Sequence, residues 1–339
     1  MRSCQTLVLH ILLLPLLLCC VCLPMSAHAA GPLSVTLLLE HNPQSDWNRL
    51  LQQGLERAAG EFGLAPRVVT VSANDDALSA FRDAAREAAG TSGLVLVASQ
   101  KLHEILRDNA GNFRKARFGC VDAGIRAPNI MCVTFADEQG AYLAGVAAAM
   151  RMSSQKGGKR HEAVGWLSGE DVPAMRSLFN GFAEGVKNTS PSLRVLHGVA
   201  GSFADADRAR AEARRLIGEG VGVLALASGM GNAAALAEAK AVGIDVIGLD
   251  VDHAQRWPGH VLTSIVKKAD QAVYSIVAAT ARDDFRGKEI VTYDLSGGVA
   301  VTPPADKNIR RRLDEVEREI AHGGIRIQSL RERTLCDCQ

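Results

Sequence analysis

The chain has 339 residues, of which 47% are hydrophobic and 22% charged, and its formal net charge at pH 7 is +1. The apolar share is that of a globular protein with a full core. The balanced charge argues against a nucleic-acid partner and against binding to an anionic membrane surface.

The first residues carry the features of a secretory signal. Arg2 precedes an almost wholly apolar run, 7–23, and Ala27-His28-Ala29 supplies a small–x–small cleavage pattern. We therefore interpret residues 1–29 as a signal peptide, which leaves about 310 residues, enough for two domains. A transmembrane anchor and a lipoprotein signal are the alternatives, but the run lacks a basic stop-transfer flank. We expect an exported, periplasmic protein; a retained signal would place it at the outer face of the inner membrane.

Strands and helices alternate after this segment. Val35–Glu40 is an apolar run typical of a strand buried on both faces. Asp46 is expected to cap the helix that follows, which ends at Gly63. Such alternation predicts a parallel sheet with right-handed crossovers. The further predicted elements of this first lobe are strands 67–72, 93–98, 117–122 and 130–135 and helices 75–89 and 101–109.

A second alternation follows the helix predicted over 137–152 and the polar, glycine-rich gap 153–161. Strands are predicted at 162–167, 194–199, 221–227 and 245–250, with helices at 173–187, 204–218 and 232–242 between them. We expect the chain then to return to the first lobe and afterwards to the second. The predicted division is 33–135 plus 251–283 for the N-terminal lobe, 136–250 plus 284–327 for the C-terminal lobe, and 328–339 for a tail.

One acid stands out by its place at the end of a predicted strand. Asp250 follows the apolar run Val246–Leu249, and ligands of open α/β sheets bind at the carboxyl ends of the strands. Lys267 ends the next predicted strand, 260–266, and can reach the same crevice. A carboxylate can accept two hydroxyl hydrogen bonds at once, which suits a cis-diol. We therefore predict a polar ligand gripped by Asp250, with Lys267 holding that carboxylate ionised.

Other candidates are less specific. Gly229-Met230-Gly231 follows a strand and opens a helix, so its backbone amides could face a ligand. Trp47 and Trp166 could stack on a base. Outside the predicted signal the cysteines are Cys120, Cys132, Cys336 and Cys338. They allow three pairings, among which Cys120 to Cys132 would join neighbouring strands. No histidine lies at metal-ligand spacing from either cysteine pair, so no metal and no cofactor are expected.

Four stretches carry a resemblance to a known family. They are FADEQGAYLAGVAAAM at 135–150, VGWLSGEDVPAMRSLFNGFAEGV at 164–186, IGLDVDHAQRWPGHVLTSIVKKAD at 247–270, and the ending with VTPP at 301–304, a helix and Gly323-Gly324. The chain resembles the basic membrane protein family of ABC-transporter substrate-binding proteins, which includes the purine nucleoside receptor lipoproteins. The resemblance implies a type I periplasmic-binding fold, with two Rossmann-like lobes of parallel sheet, three crossovers and a ligand between them.

The resemblance also implies roles for particular residues. Asp250 would bind ribose hydroxyls with support from Lys267, and Asp122 would face the ligand's base. Asn48, directly after Trp47, matches the aromatic–Asn pair of the family's cleft. Two features depart from the family pattern: Gln44 stands where an acid is usual, with Asp46 next to the aromatic instead, and that aromatic is Trp rather than Phe.

The sequence thus predicts a monomeric binding protein without catalysis, which delivers a nucleoside or related solute to an ABC permease. A sensory binding protein of the same fold is the first alternative. A nucleoside-processing enzyme is the second, but the first strand ends in Glu40-His41-Asn42 without the acid cluster of nucleoside hydrolases. The sequence also lacks a credible nucleophile elbow.

Overall fold

The computed structural model describes residues 33–40, 42–71, 76–154 and 161–328. The predicted signal peptide, 1–29, and nearly all of the predicted tail lie outside the described residues. Within the described part of the chain, no helix combines the length and the apolar character needed to cross a membrane.

The strands and helices alternate much as the hydrophobic pattern predicts. The strands are β1 (Val35–Glu40), β2 (Arg67–Val71), β3 (Leu94–Val97), β4 (Arg117–Val121), β5 (Ile130–Phe135), β6 (Ala163–Ser168), β7 (Arg194–Val199), β8 (Val221–Ala227), β9 (Asp245–Asp250), β10 (Val261–Lys267), β11 (Ile290–Tyr293) and β12 (Val299–Val301). The main helices are α1 (Asp46–Phe62), α2 (Ala77–Thr91), α3 (Gln100–Asn109), α4 (Asp137–Ser154), α5 (Pro173–Thr189), α6 (Ala206–Gly218), α7 (Asn232–Val242), α8 (Ala269–Ala281) and α9 (Lys307–Ala321).

The strands form two six-stranded sheets of the same design. The first has the order β2-β1-β3-β4-β5-β11, and the second has the order β7-β6-β8-β9-β10-β12. All pairs are parallel except β10 with β12. Each sheet is therefore a Rossmann-like unit with helices on both faces, as predicted, and each strand of one unit has a counterpart in the other.

Two strands belong to the opposite lobe from the one predicted. The strand β10 pairs with β9 in the second sheet, whereas β11 pairs with β5 in the first. Only α8, between these strands, packs against the first lobe, where it contacts α1. The strand β10 belongs to the second sheet because it pairs in parallel with β9, with Val266 opposite Asp250 in the register. The chain still passes between the sheets three times, but the second passage follows Lys267 rather than Asp250.

Glycines allow the helices to pack closely in both lobes. A Cβ atom on Gly54 of α1 would lie 2.1 Å from the carbonyl oxygen of Asp270 in α8. In the second lobe, a Cβ on Gly181 of α5 would lie 2.2 Å from the carbonyl oxygen of Glu138 in α4, and one on Gly185 would lie 2.1 Å from that of Tyr142. Only a residue without a Cβ permits this contact between helix backbones.

Candidate functional site

The two sheets turn the carboxyl ends of their strands towards one cleft. The cleft holds a cavity of about 1700 Å³, and residues of both lobes line it. Asp122, directly after β4, faces the cavity from the first sheet, and Asp250, the last residue of β9, faces it from the second. This is the position at which open α/β sheets bind ligands.

Asp122 and Asp250 have the same unusual backbone conformation. Each has a φ of 71°, in the left-handed region that non-glycine residues seldom adopt. Asp122 directly follows β4 and Asp250 ends β9, and these two strands occupy equivalent positions in the two sheets. Aspartate tolerates this conformation better than most residues. Strain of this kind concentrates at functional sites, and here it sets one acid on each side of the cleft.

Lys267, the last residue of β10, pairs with one of these acids, Asp122, and with a third acid, Asp137. Its Nζ lies 3.0 Å from Oδ2 of Asp122 and 2.8 Å from Oδ1 of Asp137, the first residue of α4. The same Nζ lies over the rings of Phe135, at 4.7 Å, and Trp47, at 5.0 Å. The Lys267 side chain is only 2% exposed. It is therefore a buried cation of the cleft rather than a surface lysine, held by carboxylates and aromatic faces.

The pKa of the Asp250 carboxyl is strongly shifted. It is raised to about 7, chiefly by burial and in part by the charges of Asp122, Asp137 and Asp46, whereas Lys267 acts in the opposite direction. A carboxyl group with this pKa exchanges its proton near neutral pH. It can accept hydrogen bonds from two hydroxyl groups when it is ionised and donate one when it is protonated.

The amide of Asn48 is already engaged on its nitrogen side. Nδ2 donates to the carbonyl oxygens of Glu40, at 2.8 Å, and Asn42, at 2.9 Å, and the residue is 5% exposed. Both amide hydrogens are thus used to shape the loop after β1. Asn48 lines the cavity, so Oδ1 is the atom of this amide that remains for a ligand.

Trp47 also lines the cavity, and its ring is fixed in place. The indole Nε1 donates to the carbonyl oxygen of Ala98 at 3.2 Å, and the ring meets that of Phe135 edge to face at 6.4 Å between centroids. A rigid aromatic ring at a cavity wall is suited to stacking on a planar ligand.

The glycine turn after β8 contributes a different surface from the one predicted. Gly229 and Met230 line the cavity, and the Met230 residue is 43% exposed. The amide of Met230, however, donates to the carbonyl oxygen of Phe203 at 2.9 Å, and that of Gly231 donates to Ser228 at 3.1 Å. The chain itself therefore uses two of the three amides that were predicted to face a ligand. The turn also contributes Met230 to the cavity wall.

Trp166 lies in the core of the second lobe. It is 1% exposed, it packs against Phe182 at 5.4 Å between ring centroids, and its Nε1 donates to Oγ of Ser168 at 3.1 Å. It is not among the residues that line the cavity. The prediction that it stacks on a ligand fails because Trp166 stands inside β6, two residues before the strand ends, with its side chain between sheet and helix.

Cys120 and Cys132 are free and buried, so the bridge considered from the sequence is not formed in the structure. They do lie opposite one another on β4 and β5, as predicted. Each sulfur instead contacts the loop after β4: Sγ of Cys120 lies 3.7 Å from the carbonyl oxygen of Ala123, and Sγ of Cys132 lies 3.3 Å from that of Ile125. The thiols thus support the loop that begins with Asp122.

Several residues in or beside the cavity were not identified from the sequence. Asp137 is fully buried and pairs with Lys267; its signal was its place at the junction of strand and helix in the FADE motif. Arg256 pairs with Asp46 across the cleft, and no sequence pattern indicated it. On the second lobe, part of the cavity wall is apolar: Val172, Pro173, Met175, Phe203 and Trp257.

Comparison with known proteins agrees with this geometry. The family model described as ABC transporter substrate-binding protein PnrA-like matches residues 43–329. The chain is 30% identical over 242 residues to the ABC transporter nucleoside-binding protein BmpA of Lactococcus lactis, an alignment of 65% of this chain and 66% of that one. It is 28% identical over 238 residues to basic membrane protein B of Borreliella afzelii, covering 68% and 67%. The aligned region thus spans about two thirds of these relatives' length.

Solved structures share the fold. The crystal structure of an ABC transporter system solute-binding protein from Aeropyrum pernix K1 matches with a TM-score of 0.77 at 22% identity, covering 88% of this chain and 94% of that one. A transcriptional activator of the comK gene from Bacillus halodurans matches with a TM-score of 0.69 at 18% identity, covering 86% and 99%. At these identities the likeness concerns the fold alone, and the same fold serves proteins with different roles.

Proposed function

The chain belongs to the PnrA-like family of ABC transporter substrate-binding proteins, and we propose that it captures a nucleoside-like ligand between its two lobes and delivers it to a membrane permease. The relative from Lactococcus lactis is named as nucleoside-binding. The family consists of binding proteins, so the proposed activity is reversible capture rather than catalysis. Closure of two lobes around a ligand is the motion expected of this fold.

The observation that carries the proposal is the Asp250 carboxylate at the seam of the two sheets. It lines the cavity, its backbone is held in the left-handed region, and its pKa is raised to about 7, chiefly by burial. A ligand that brings two adjacent hydroxyl groups to this carboxylate would restore the hydrogen bonds that burial removes. The ribose of a nucleoside has such a pair.

The rest of the cleft suits a neutral ligand with one planar end. Lys267 is already paired with Asp122 and Asp137, and Asp250 adds a third carboxyl group that interacts with it, so a phosphate group would meet repulsion there. The ring of Trp47 on one lobe and the apolar wall of the other provide surfaces for a base. We therefore propose nucleosides, and not nucleotides, as the ligand class.

Calorimetric titration of the purified protein with inosine, guanosine, adenosine and the corresponding monophosphates tests this proposal. We expect binding of at least one nucleoside and weaker or absent binding of its phosphate. Asp250→Asn should weaken that binding at least tenfold, because the amide has one acceptor oxygen instead of two and carries no negative charge. Asp252→Asn is the matched control, since Asp252 is exposed and caps the amide of Ala254 at 2.9 Å. Absence of binding to every nucleoside and to a panel of sugars would remove the proposal.

The pH dependence of the same titration examines the role of the carboxylate. Below the pKa of about 7, protonation of Asp250 competes with acceptance of two hydroxyl hydrogen bonds. We expect the affinity to fall by up to about tenfold for each pH unit below 7 and to level off above it. The Asp250→Asn variant should show no such dependence.

Export and oligomeric state are further parts of the proposal. We propose that residues 1–29 are removed during export and that the mature protein acts as a monomer in the periplasm. Mass spectrometry of the protein from a periplasmic fraction would show the cleavage, with a mature chain starting at Ala30. Light scattering during size-exclusion chromatography would report the monomer.

A further inference from the structure

We propose that Asp46 and Arg256 form a latch across the mouth of the cleft, which holds the two lobes closed and sets how long a ligand stays. Asp46 is the first residue of α1, which follows β1 of the first sheet. Arg256 lies in the loop between β9 and β10 of the second sheet. Its Nη1 donates to both carboxylate oxygens of Asp46, at 2.8 and 3.0 Å. The pair therefore joins two lobes that must separate for a ligand to enter.

Asp46 is available for this contact because another residue caps the helix. The predicted cap at Asp46 is wrong: Ser45 is the N-cap, and its hydroxyl accepts a hydrogen bond from the amide of Asn48. The Asp46 carboxylate can thus turn towards the second lobe. Burial would raise its pKa, but the hydrogen bond and charge of Arg256 outweigh this and keep the pKa below its usual value. Arg49, on the same helix, also pairs with Asp46.

The loop that carries Arg256 is held firmly on its own lobe. The His253 ring stacks on Trp257 with 3.9 Å between centroids, and its Nε2 donates to the carbonyl oxygen of Leu249 at 3.0 Å. The amide of Trp257 donates to the carbonyl oxygen of His253 at 2.9 Å. Arg256 stands between these anchored residues. A fixed backbone on each side reduces the entropy lost when the ion pair forms.

In the described chain, two ion pairs with a lysine or an arginine join the lobes, and they differ in depth. The inner pair is Lys267 with Asp122, whose side chains are 2% and 13% exposed. The outer pair is Arg256 with Asp46, whose side chains are 49% and 18% exposed. A longer contact, 3.9 Å from Nε2 of His253 to Oδ2 of Asp46, lies beside the outer pair. Water and salt reach the outer pair, so its energy is modest and falls as ionic strength rises. A contact of this kind can break and reform as the lobes open and close.

The latch predicts a kinetic signature that differs from that of a ligand contact. A contact made only between the lobes stabilises the closed state by the same amount whichever ligand is inside. Its loss should therefore accelerate release of every ligand equally, roughly two- to fivefold, the scale of one solvent-exposed ion pair. The ratio of affinities for two ligands should stay unchanged. Replacement of Asp250, in contrast, should alter that ratio for ligands that differ in their hydroxyl groups.

The latch rests on the proposed capture of a nucleoside, but its test has an arm that needs no ligand. Small-angle scattering of the ligand-free protein measures how far the lobes are open. We expect wild-type protein to open as the NaCl concentration rises and Arg256→Gln to be equally open at all salt concentrations. If no nucleoside binds but this difference is found, the latch stands and the proposed ligand class falls.

The second arm is stopped-flow measurement of inosine release, or of whichever nucleoside binds in calorimetry. Arg256→Gln and Asp46→Asn should each release it faster, and the charge-swapped Asp46→Arg, Arg256→Asp double variant should recover part of the slow release. Arg49→Gln is the matched control, because Arg49 pairs with Asp46 within one lobe. Urea unfolding confirms that each variant is folded. Equal release from wild type and Arg256→Gln, or an equal effect of Arg49→Gln, would overturn the latch.

Discussion

The Nζ of Lys267 lies 3.0 Å from Oδ2 of Asp122, although 145 positions separate the two residues in the chain. Lys267 is the last residue of β10 in the second sheet, and Asp122 directly follows β4 in the first sheet. The contact therefore exists only when both lobes are folded and brought together. It makes the proposed ligand site and the stability of the whole protein depend on the same charge.

Replacement of Lys267 by Met should destabilise the protein strongly. The change leaves Asp122 and Asp137 in a buried site without their cation, which typically costs about 3–5 kcal/mol. Urea unfolding followed by circular dichroism measures the loss. Lys268→Met is the control, because Lys268 is exposed and should change the free energy of unfolding by less than about 0.5 kcal/mol. Equal stability of the two variants would contradict the buried position of Lys267.

Asp250 should make the protein less stable as pH rises. Its pKa is about 7 in the folded state and 3.8 in its usual environment. Between these values the folded state binds more protons than the unfolded state, so stability falls as pH rises from about 4 to about 7 and then stays level. Asp250→Asn removes the penalty. We expect that variant to exceed wild type by roughly 1–3 kcal/mol above pH 7, less than the full shift implies because the carboxylate borders the open cavity.

Thermal melts of both proteins at several pH values would test this expectation. The advantage of Asp250→Asn should shrink towards zero near pH 4. An advantage that is the same at every pH would show that the side-chain change, and not ionisation, causes it. Asp252→Asn serves again as the exposed control.

Substitution by alanine should have opposite effects on stability at two glycines of α1, Gly54 and Gly60. A Cβ on Gly54 would lie 2.1 Å from a backbone oxygen of α8, whereas one on Gly60 has nothing within 4 Å. Gly54→Ala should destabilise by about 1–3 kcal/mol, because a backbone atom cannot move aside readily. Gly60→Ala should stabilise by roughly 0.5–1 kcal/mol, because alanine loses less conformational freedom in a helix. Urea unfolding measures the effect: we expect the midpoint of Gly54→Ala below that of wild type and the midpoint of Gly60→Ala above it.

Two tryptophans should separate binding from stability. Trp166→Phe loses the hydrogen bond to Ser168 and some core volume, so stability should fall by about 1–3 kcal/mol while nucleoside affinity stays unchanged. Trp47→Ala removes a ring at the cavity wall, which should weaken nucleoside binding by about 1–3 kcal/mol. Calorimetry and unfolding of both variants give the comparison. Weaker nucleoside binding by a folded Trp166→Phe variant would show that Trp166 contributes to the ligand site after all.

The thiols of Cys120 and Cys132 should resist alkylation in the folded protein. Both are buried, and burial raises the pKa of the Cys120 thiol, with a further contribution from Cys132. Iodoacetamide labelling followed by peptide mass spectrometry should detect these two thiols only after unfolding. Recovery of the two peptides joined by a disulfide would instead support the bridge considered from the sequence.

The alternation of apolar runs with amphipathic segments was sufficient to predict both Rossmann-like lobes, since that rhythm is a local property of the chain. Asp250 and Lys267 could be singled out for the same reason: each stands at the end of a strand, where parallel sheets bind ligands. Asp122 was singled out through the family resemblance. Trp166 shows the limit of this reasoning. Its place near a strand end was visible, but the face of the sheet on which its side chain lies was not.

Only the tertiary structure decided which lobe receives each late strand, and therefore which residues meet across the cleft. The alignment of β10 with β9 places Lys267 on the second lobe, from which it meets Asp122 of the first, and the closure of the lobes brings Arg256 to Asp46. Neither fact follows from a local pattern, because a strand's hydrophobicity shows that it is buried but not beside which partner. Pairing depends on the fit of strands and helices far apart in the chain, and the charges of the site acquire their partners only through that fit.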